Sequence, residues 1–521
     1  MRNPFNFIKT VNMKNRLSGI LLLLVAFSTG VLAQSNEVPP KRELRGVWIA
    51  TVRNIDWPAK GSTNPAAQRK ELLEILDSHQ RTGINSIYLQ VRPSADALYG
   101  KGRELWSQFL TGKQGVIPNP YWDPLDFAIT EAHKRGMELH AWLNPYRATN
   151  DLIDSNTSVN HIKRKHPEWF FDYGNQAYFN PGIPEVRSYI TQVMMDVVRN
   201  YDVDGIHFDD YFYPYPGRTS LPDSATYAQY GQGFNSIYDW RRDNVNKFIK
   251  TLSDSIHAAR KYLKFGVSPY GIWRNKADVP EGSETSGNVT LWHSLYADAR
   301  KWTKEGWLDY VNPQIYFPFY YKVAPFEKMM DWWASNGYGK HVYIGEAPFL
   351  AERTTEGWKD KSQLPNQVRY QRKNPNVQGS VYFSSKSVTT NMGGFRDSLR
   401  NDLYSNPALV PTMSWLDSIP PNAPSGLKVV DENGKRVLKW YEPAAASDGD
   451  VAYGYVIYRI DKGANIDLNN PENIRKIRFD NSTSFYDETA EKNKEYQYVV
   501  TTIDRLKNES AASNTANFKL R

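Results

Sequence analysis

Short apolar runs alternate with longer amphipathic stretches from Leu44 to about Tyr404, and this pattern predicts repeated strand–helix units. The predicted strands are residues 44–50, 86–91, 138–143, 205–208, 265–268, 310–315, 342–344 and 379–383, and the clearest helical stretches are residues 68–81, 124–134, 185–200, 240–262 and 291–305. Eight strands, each followed by a helix, fit a (β/α)8 TIM barrel enlarged by long loops. The predicted fold class is therefore α/β, with this barrel as the main domain.

A doubly wound α/β sheet is the alternative for the same alternation. Against it, the turn after the first strand, residues 50–58, contains no glycine-rich phosphate fingerprint, and the chain has no Walker-type loop. The sequence also contains no cysteine, which excludes disulfides and cofactors held by thiolates. We therefore expect a barrel that works without a cofactor.

The pattern changes after residue 404. Residues 405–424 contain five prolines, which is typical of a stiff linker. Beyond them, residues 427–430, 437–440, 454–459 and 496–503 alternate like the strands of a small antiparallel sandwich. We expect a barrel at residues 41–404, a linker at 405–424 and an all-β domain at 425–521. In Trp440 and in residues 453–458 and 496–500 this domain resembles a fibronectin type III domain, which implies a spacer or adhesion module.

Residues 1–33 have the pattern of an export signal. Basic residues precede the apolar run at residues 20–27, and Ala33 supplies a small residue for cleavage. Met13 offers a second possible start for the same signal. No other apolar run approaches the roughly 20 residues of a spanning helix. We expect an exported protein, periplasmic or extracellular, with no membrane span in the mature chain.

Candidate chemistry lies where the predicted strands end, because the reacting groups of a (β/α)8 barrel come from the C-terminal ends of its strands. Asp209 and Asp210 follow the fourth predicted strand, and Glu346 follows the seventh. Hydrolysis of a glycosidic bond needs one carboxylic acid and one carboxylate, and these three residues offer them. Neighbouring strand residues point to opposite sides, so we expect one aspartate to face the cleft. Its partner is Glu346, or the second aspartate if the chain turns sharply.

A structural alternative exists for each carboxyl group: Asp210 could cap a loop or pair with an arginine, and Glu346 could be a solvated rim residue. Other polar and aromatic side chains near strand ends suit sugar recognition, although each could instead support the fold. The candidate substrate-binding residues are Trp48, Gln90, Arg92, Asn144, Tyr146, Arg147, His207, Tyr211, Tyr213, Gln314 and Tyr316. The tryptophans near strand ends could be sugar platforms or buried core.

Four segments carry a resemblance to a known family. They are residues 43–51 with 56–58, residues 90–93, residues 141–147 and residues 204–214. In these motifs, and over about residues 41–404, the chain resembles glycosyl-hydrolase-like family 10. The resemblance implies an exported bacterial TIM-barrel glycosidase and, through members that act on the cell wall, cleavage of peptidoglycan strands stripped of peptide. Related barrels place an essential aspartate after the fourth strand, which favours Asp209 and Asp210 over Glu346.

Other functions have weaker support. A catalytically inactive barrel that only binds glycan is the main alternative. Metal-dependent deacetylation would need a ligand set, and only His161 and His166 lie near each other in sequence, so we predict no metal. The pI of about 9.1 could indicate nucleic acid, but the basic residues are dispersed and export argues against that partner. We expect a polysaccharide or cell-wall glycan as substrate, with no nucleic-acid partner and no assignment of oligomeric state.

Overall fold

The computed structural model describes residues 38–152, 157–355, 357–432 and 435–519. The predicted export signal, residues 1–33, lies outside the described residues. Residues 39–521 form one compact unit. Within the described ranges, no helix is both long enough and apolar enough to cross a bilayer.

Eight parallel strands close into a barrel. The first ten strands are β1 Leu44–Ile49, β2 Ser86–Arg92, β3 Glu138–Leu143, β4 Phe170–Tyr173, β5 Gln176–Phe179, β6 Gly205–Phe208, β7 Lys264–Val267, β8 Tyr310–Val311, β9 His341–Glu346 and β10 Gly379–Tyr382. The barrel omits β4 and β5, which form a hairpin in the loop after β3, and it closes where β1 pairs with both β2 and β10. The predicted fold class and all eight predicted barrel strands are confirmed.

Helices surround this barrel. They are α1 Pro65–Thr82, α2 Gln108–Thr111, α3 Pro124–Lys134, α4 Ile162–Lys165, α5 Pro184–Asn200, α6 Ser224–Tyr230, α7 Ile237–Ala259, α8 Leu291–Ser294, α9 Ala299–Lys304, α10 Phe326–Ser335, α11 Gln363–Arg372, α12 Ser385–Thr389 and α13 Phe395–Ser398. Asn64 and Asp123 accept hydrogen bonds from the first free N–H groups of α1 and α3, and proline opens both helices. The sequence thus fixes where these helices begin.

The C-terminal part consists of two antiparallel sheets. Its strands are β11 Ser425–Glu432, β12 Lys435–Tyr441, β13 Gly454–Asp461, β14 Ile474–Arg478, β15 Ser484–Phe485, β16 Glu495–Ile503 and β17 Ala516–Lys519. One sheet has the order β11-β12-β15 and the other β14-β13-β16-β17. Side chains of both sheets, among them Trp440 and Tyr498, share one buried cluster. These strand sheets agree with the expected all-β domain, and its resemblance to fibronectin type III stays a prediction.

Residues 405–424, predicted as a stiff linker, pack against the barrel. Leu409 pairs with Arg42 in a short parallel bridge, and Val410 and Met413 are buried in the cluster that fills the barrel interior. Trp415 donates a hydrogen bond of 2.9 Å to Asp309, which lies just before β8. The segment therefore covers the N-terminal ends of the strands and does not hold two separate bodies apart.

A buried ionic group joins the C-terminal part to the barrel. Lys507 and Lys264 both contact the carboxylate of Glu138, with N–O distances of 3.0 and 2.6 Å, and all three side chains are at most 2% exposed. Burial alone would raise the pKa of Glu138, but the two ammonium groups hold that pKa well below its ordinary value. The charged side chain of Lys507 thus enters the barrel at the end opposite the predicted site.

Candidate active site

Asp209 lies directly after β6, with its carboxylate turned to the top of the barrel interior. It accepts hydrogen bonds from the indole nitrogen of Trp142 at 3.1 Å, from Nδ2 of Asn144 at 3.0 Å and from the backbone N–H of Tyr211 at 3.3 Å. Asp209 is only 4% exposed. Three donors from two strand ends therefore hold this carboxylate in one orientation.

Asp210 lies beside it. The hydroxyl of Tyr215 donates a hydrogen bond to its carboxylate, and the side-chain amide of Gln314 also bonds to it. Gln314 is itself held by a hydrogen bond of 3.0 Å to the carbonyl of Ser268. Because β6 has already ended at Phe208, the chain bends here, and strict alternation no longer separates the two aspartates. The expected partner of the first aspartate was either Glu346 or the second aspartate, and in the structure it is the second aspartate that lies beside it.

The two carboxyls differ in their electrostatic surroundings. Burial raises the pKa of Asp210 to about 6, and the neighbouring charge of Asp209 adds to the effect. Burial also raises the pKa of Asp209, but the Arg147 guanidinium and the bonds from Asn144 and Trp142 oppose that rise. Asp210 is therefore the better proton donor of the pair, and Asp209 is the better anion.

Half-buried aromatic rings surround the aspartates. The Arg147 guanidinium lies 4.4 Å from the ring centre of Tyr211, and Tyr211 meets Tyr215 edge to face at 5.6 Å. The Tyr316 ring packs on that of Phe383, with 6.3 Å between the ring centres, and burial of its hydroxyl together with the nearby aspartates raises its pKa. Rings with one open face and a polar tip suit contact with a sugar.

Trp48 and His207 lie beneath the aspartates, inside the barrel. The Trp48 indole N–H donates to Nε2 of His207 at 3.1 Å, and Nδ1 of His207 lies 3.1 Å from the Tyr310 hydroxyl. Because indole is only a donor, His207 carries its proton on Nδ1. From the Tyr310 hydroxyl, this series of hydrogen bonds continues through His140 to Glu138. These residues fill and orient the barrel interior, so they support the site from below.

Gln90 and Arg92 hold loops in place. Oε1 of Gln90 accepts the backbone N–H groups of Thr51 and Val52 at 3.0 and 2.9 Å. Arg92 is fully buried and forms a double ion pair with Glu104 at 2.6 and 2.7 Å. The guanidinium of Arg92 and Oε1 of Gln90 are therefore committed within the fold, which gives both residues a structural role.

Tyr146 and Tyr213 lie in the apolar layer between strands and helices. Both are fully buried, and neither hydroxyl has a hydrogen-bond partner among the described residues. Tyr146 packs on Phe248, and Tyr213 meets Tyr296 edge to face at 5.2 Å. The structure places these two predicted substrate-binding residues in the core.

Glu346 faces away from the aspartate pair. The preceding Gly345 is the residue that faces the barrel interior, where a Cβ would lie 3.1 Å from the Trp48 ring. The Glu346 carboxyl accepts hydrogen bonds from Gln371 of α11 and from Ser380 of β10. Burial raises its pKa to about 8. The geometry does not bring Glu346 to the site, so its predicted catalytic role is corrected to a buried contact between barrel and helix layer.

The structure therefore brings part of the predicted set together. Around Asp209 and Asp210 lie Asn144, Arg147, Tyr211, Gln314 and Tyr316. Tyr215 and Tyr270 were not among the predicted substrate-binding residues but lie at the site, and burial and the nearby Asp210 raise the pKa of both. The sequence carried a signal for both, because each follows a predicted strand end within a few residues.

The histidines considered for a metal have structural contacts. His161 accepts the backbone N–H of Lys163 at 3.2 Å and so caps α4. The ring of His166 stacks on Trp169 at 4.0 Å. These contacts give both histidines a role in the fold.

An eight-stranded barrel with an aspartate pair after β6 and aromatic side chains around it has the organisation of a glycosidase. The comparisons with known proteins agree. The family model described as Glycosyl hydrolase-like 10 matches residues 43–349. The chain belongs to this family, and its enzyme class is that of the glycoside hydrolases.

Two named relatives align over long stretches. Glycosyl hydrolase YngK of Bacillus subtilis (strain 168) is 44% identical over 479 residues, which are 91% of this chain and 92% of the relative. Glycosyl hydrolase DigH of Escherichia coli (strain K12) is 40% identical over 322 residues, which are 58% of this chain and 73% of the relative. The first alignment extends beyond the length of the barrel alone.

Among solved structures, the glycoside hydrolase domain of PgaB (BpsB) from Bordetella bronchiseptica is 14% identical, with a TM-score of 0.44 over 70% of this chain and 99% of that domain. The catalytic domain of a β-amylase from Paenibacillus polymyxa is 12% identical, with a TM-score of 0.45 over 71% of this chain and 99% of that domain.

Proposed function

We propose that this protein is an exported enzyme that hydrolyses O-glycosidic bonds in a polysaccharide, with Asp209 and Asp210 as its catalytic residues. The observation that carries the proposal is the pairing of two buried aspartates whose surroundings differ. A glycosidase needs one carboxyl that keeps a proton and one that stays ionised. Asp210, with its pKa raised to about 6, and Asp209, held by Asn144, Trp142 and Arg147, fit these two roles.

The proposed reaction begins with proton transfer. The carboxylic acid of Asp210 gives its proton to the glycosidic oxygen while the bond from that oxygen to the anomeric carbon breaks. The carboxylate of Asp209 stabilises the positive charge that develops on the sugar ring. Water then supplies the hydroxyl group of the new reducing end, and its remaining proton returns to Asp210. The hydrogen bonds from Trp142 and Asn144 keep Asp209 aimed at the reacting carbon.

For the substrate we propose peptidoglycan glycan strands from which the peptides have been removed. The support is the family membership, together with the signal-like residues 1–33, which would deliver the enzyme to the cell wall. Tyr211 and Tyr316 would stack on sugar rings, and Gln314 would orient a hydroxyl or acetamido group, whereas Asn144 would hold Asp209 in place.

The experiment that tests this proposal is product analysis by mass spectrometry. Purified protein is incubated with intact peptidoglycan, with peptide-stripped glycan strands and with a panel of other polysaccharides. Discrete oligosaccharides from the stripped strands alone would support the proposed substrate. Products from a different polysaccharide would keep the glycosidase and replace the substrate. Retention of one glycan without any products would favour the inactive glycan-binding barrel.

A further inference from the structure

A second cavity lies on the outer side of the loop that carries the aspartate pair. It has a volume of about 390 Å³, which falls within the range of small-ligand sites. Pro214, Pro216 and Gly217 form one of its walls. Tyr215, between the two prolines, points the other way and donates its hydroxyl hydrogen to Asp210. One short loop thus separates this cavity from the candidate active site.

The other walls come from the same face of the barrel. Tyr173 belongs to β4, in the loop after β3, whereas Tyr238 and Arg241 lie in the first turns of α7. Ser294 and Tyr296 belong to the long connection after β7. Loops that follow barrel strands lie at the C-terminal face, where the aspartates also lie. The cavity is therefore positioned to hold part of a molecule that extends out of the active site.

The lining of the cavity suits an uncharged ring with hydroxyl groups. Tyr238 is 55% exposed, and its ring lies at 15° to that of Tyr296, with 6.1 Å between the ring centres. Hydroxyl groups of Thr219, Ser220 and Ser224 line the same space. Aromatic faces beside hydroxyl groups are the combination that sugar rings contact.

The charge of Arg241, which lines the cavity, is already neutralised. Arg241 forms a double ion pair with Asp223 at 2.8 and 2.5 Å, and its third contact is the Tyr296 hydroxyl at 3.0 Å. Its guanidinium is thus committed and does not select an acidic sugar. Tyr296 has φ +50°, a conformation that non-glycine residues adopt only where the surroundings hold them. The Arg241 bond and the Tyr213 ring hold Tyr296 against the cavity.

We propose that this outer cavity is a distal subsite that binds an uncharged or N-acetylated sugar of the same glycan chain, beyond the bond that is cleaved. This inference rests on the proposed glycosidase function. A sugar held by Tyr238 and Tyr296 adds binding only when the substrate is long enough to pass over the loop at Tyr215. The enzyme is therefore selective for long strands over short oligosaccharides.

The test compares long and short substrates in wild type and in Tyr238→Ala. Because this ring is largely exposed, its removal leaves the fold in place. For long strands we expect kcat/KM to fall about tenfold, the equivalent of one lost aromatic stacking contact of roughly 1.4 kcal/mol. For the shortest oligosaccharide that is cleaved, kcat/KM should stay unchanged. The matched control is Tyr320→Ala, an 86% exposed tyrosine in the loop after β8 and outside the cavity, which should leave both substrates unaffected.

Equal losses on long and short substrates, or no loss on either, would overturn the distal subsite. A binding measurement separates this result from failure of the proposed function. In an Asp210→Asn background, calorimetry with peptide-stripped strands should show weaker binding when Tyr238→Ala is added. If wild type cleaves no glycan but this binding difference is present, the subsite stands and the hydrolase proposal fails. If binding is identical with and without Tyr238→Ala, the subsite fails.

Discussion

Lys507 is predicted to be a main energetic link between the C-terminal sheets and the barrel. Its side chain is fully buried, and its ammonium group contacts Glu138 at 3.0 Å, the carbonyl of Arg505 at 2.7 Å and the ring of Phe479 at 4.5 Å from its centre. Lys507→Met keeps most of the volume of the side chain and removes its charge. The change therefore isolates the electrostatic contribution of this link.

The expected loss is about 3 kcal/mol in the free energy of unfolding. Removing one partner of a buried ion pair typically costs about 3 to 5 kcal/mol, because the remaining charge is left in a poorly solvated position. The lower end applies here because Glu138 keeps its contact with Lys264 at 2.6 Å. Glu138→Gln should cost more, toward 5 kcal/mol, because it leaves Lys264 and Lys507 buried without their shared carboxylate.

The assay is urea unfolding followed by tryptophan fluorescence and far-UV circular dichroism. The matched control is Lys439→Met, since Lys439 is 41% exposed and its surface pair with Glu432 should contribute no more than about 1 kcal/mol. Lys507→Met should unfold at a clearly lower urea concentration than this control. If the two variants unfold together, or if Glu138→Gln costs less than Lys507→Met, the reasoning from buried charge is refuted.

Three further predictions concern single side chains. Tyr215→Phe removes a hydrogen bond that lowers the pKa of Asp210, so the alkaline limb of the pH–kcat/KM profile should move to higher pH. Burial raises the pKa of Glu346 from an ordinary 4.5 to about 8, so this group lowers the thermal stability of the wild type as pH rises from about 4.5 to about 8. Glu346→Gln should lose less thermal stability than the wild type over this range and should keep its activity. Arg92→Ala should destabilise the fold by about 3 to 5 kcal/mol in urea unfolding, because Glu104 is left buried and unpaired.

Each of these has an outcome that would contradict it. An unshifted alkaline limb in Tyr215→Phe, or the same shift in Tyr211→Phe, would show that the hydroxyl of Tyr215 does not tune Asp210. Loss of catalysis in Glu346→Gln with intact folding would return Glu346 to the active site. Weaker substrate use in Arg92→Ala at unchanged stability would return that arginine to substrate recognition.

The barrel could be predicted because its strands are buried on both faces and so appear in the sequence as short apolar runs. The length of β8 was harder to predict. Residues 310–315 read as one run, but β8 ends at Val311, and Pro313 lacks the N–H group that a longer strand would need. Gln314 still pairs through single bridges with Tyr270 and Gly345. Gln314 therefore lies near the strand ends although β8 is shorter than the predicted strand.

The site could be predicted only in part because a side chain at a strand end can face either the barrel interior or the surrounding helices. The sequence alone does not decide which. A register shift between Gln90 and Arg92 changes the alternation on β2, and the arginine lies against Glu104. On β9, Gly345 faces the interior, so Glu346 faces the helices. Lys507 and Glu138 lie far apart in the sequence, and no local pattern predicts their contact.

The central claim is that Asp209 and Asp210 together cleave a glycosidic bond, and it is tested most directly by the rate at which new reducing ends form. Asp209→Asn and Asp210→Asn keep side-chain shape and remove one ionisable group each. On the polysaccharide that wild type cleaves, we predict that kcat falls at least about a hundredfold in each variant, because general acid–base catalysis typically contributes a factor of that size. Thermal unfolding of both variants should be unchanged. Near-normal turnover in both variants would contradict the account.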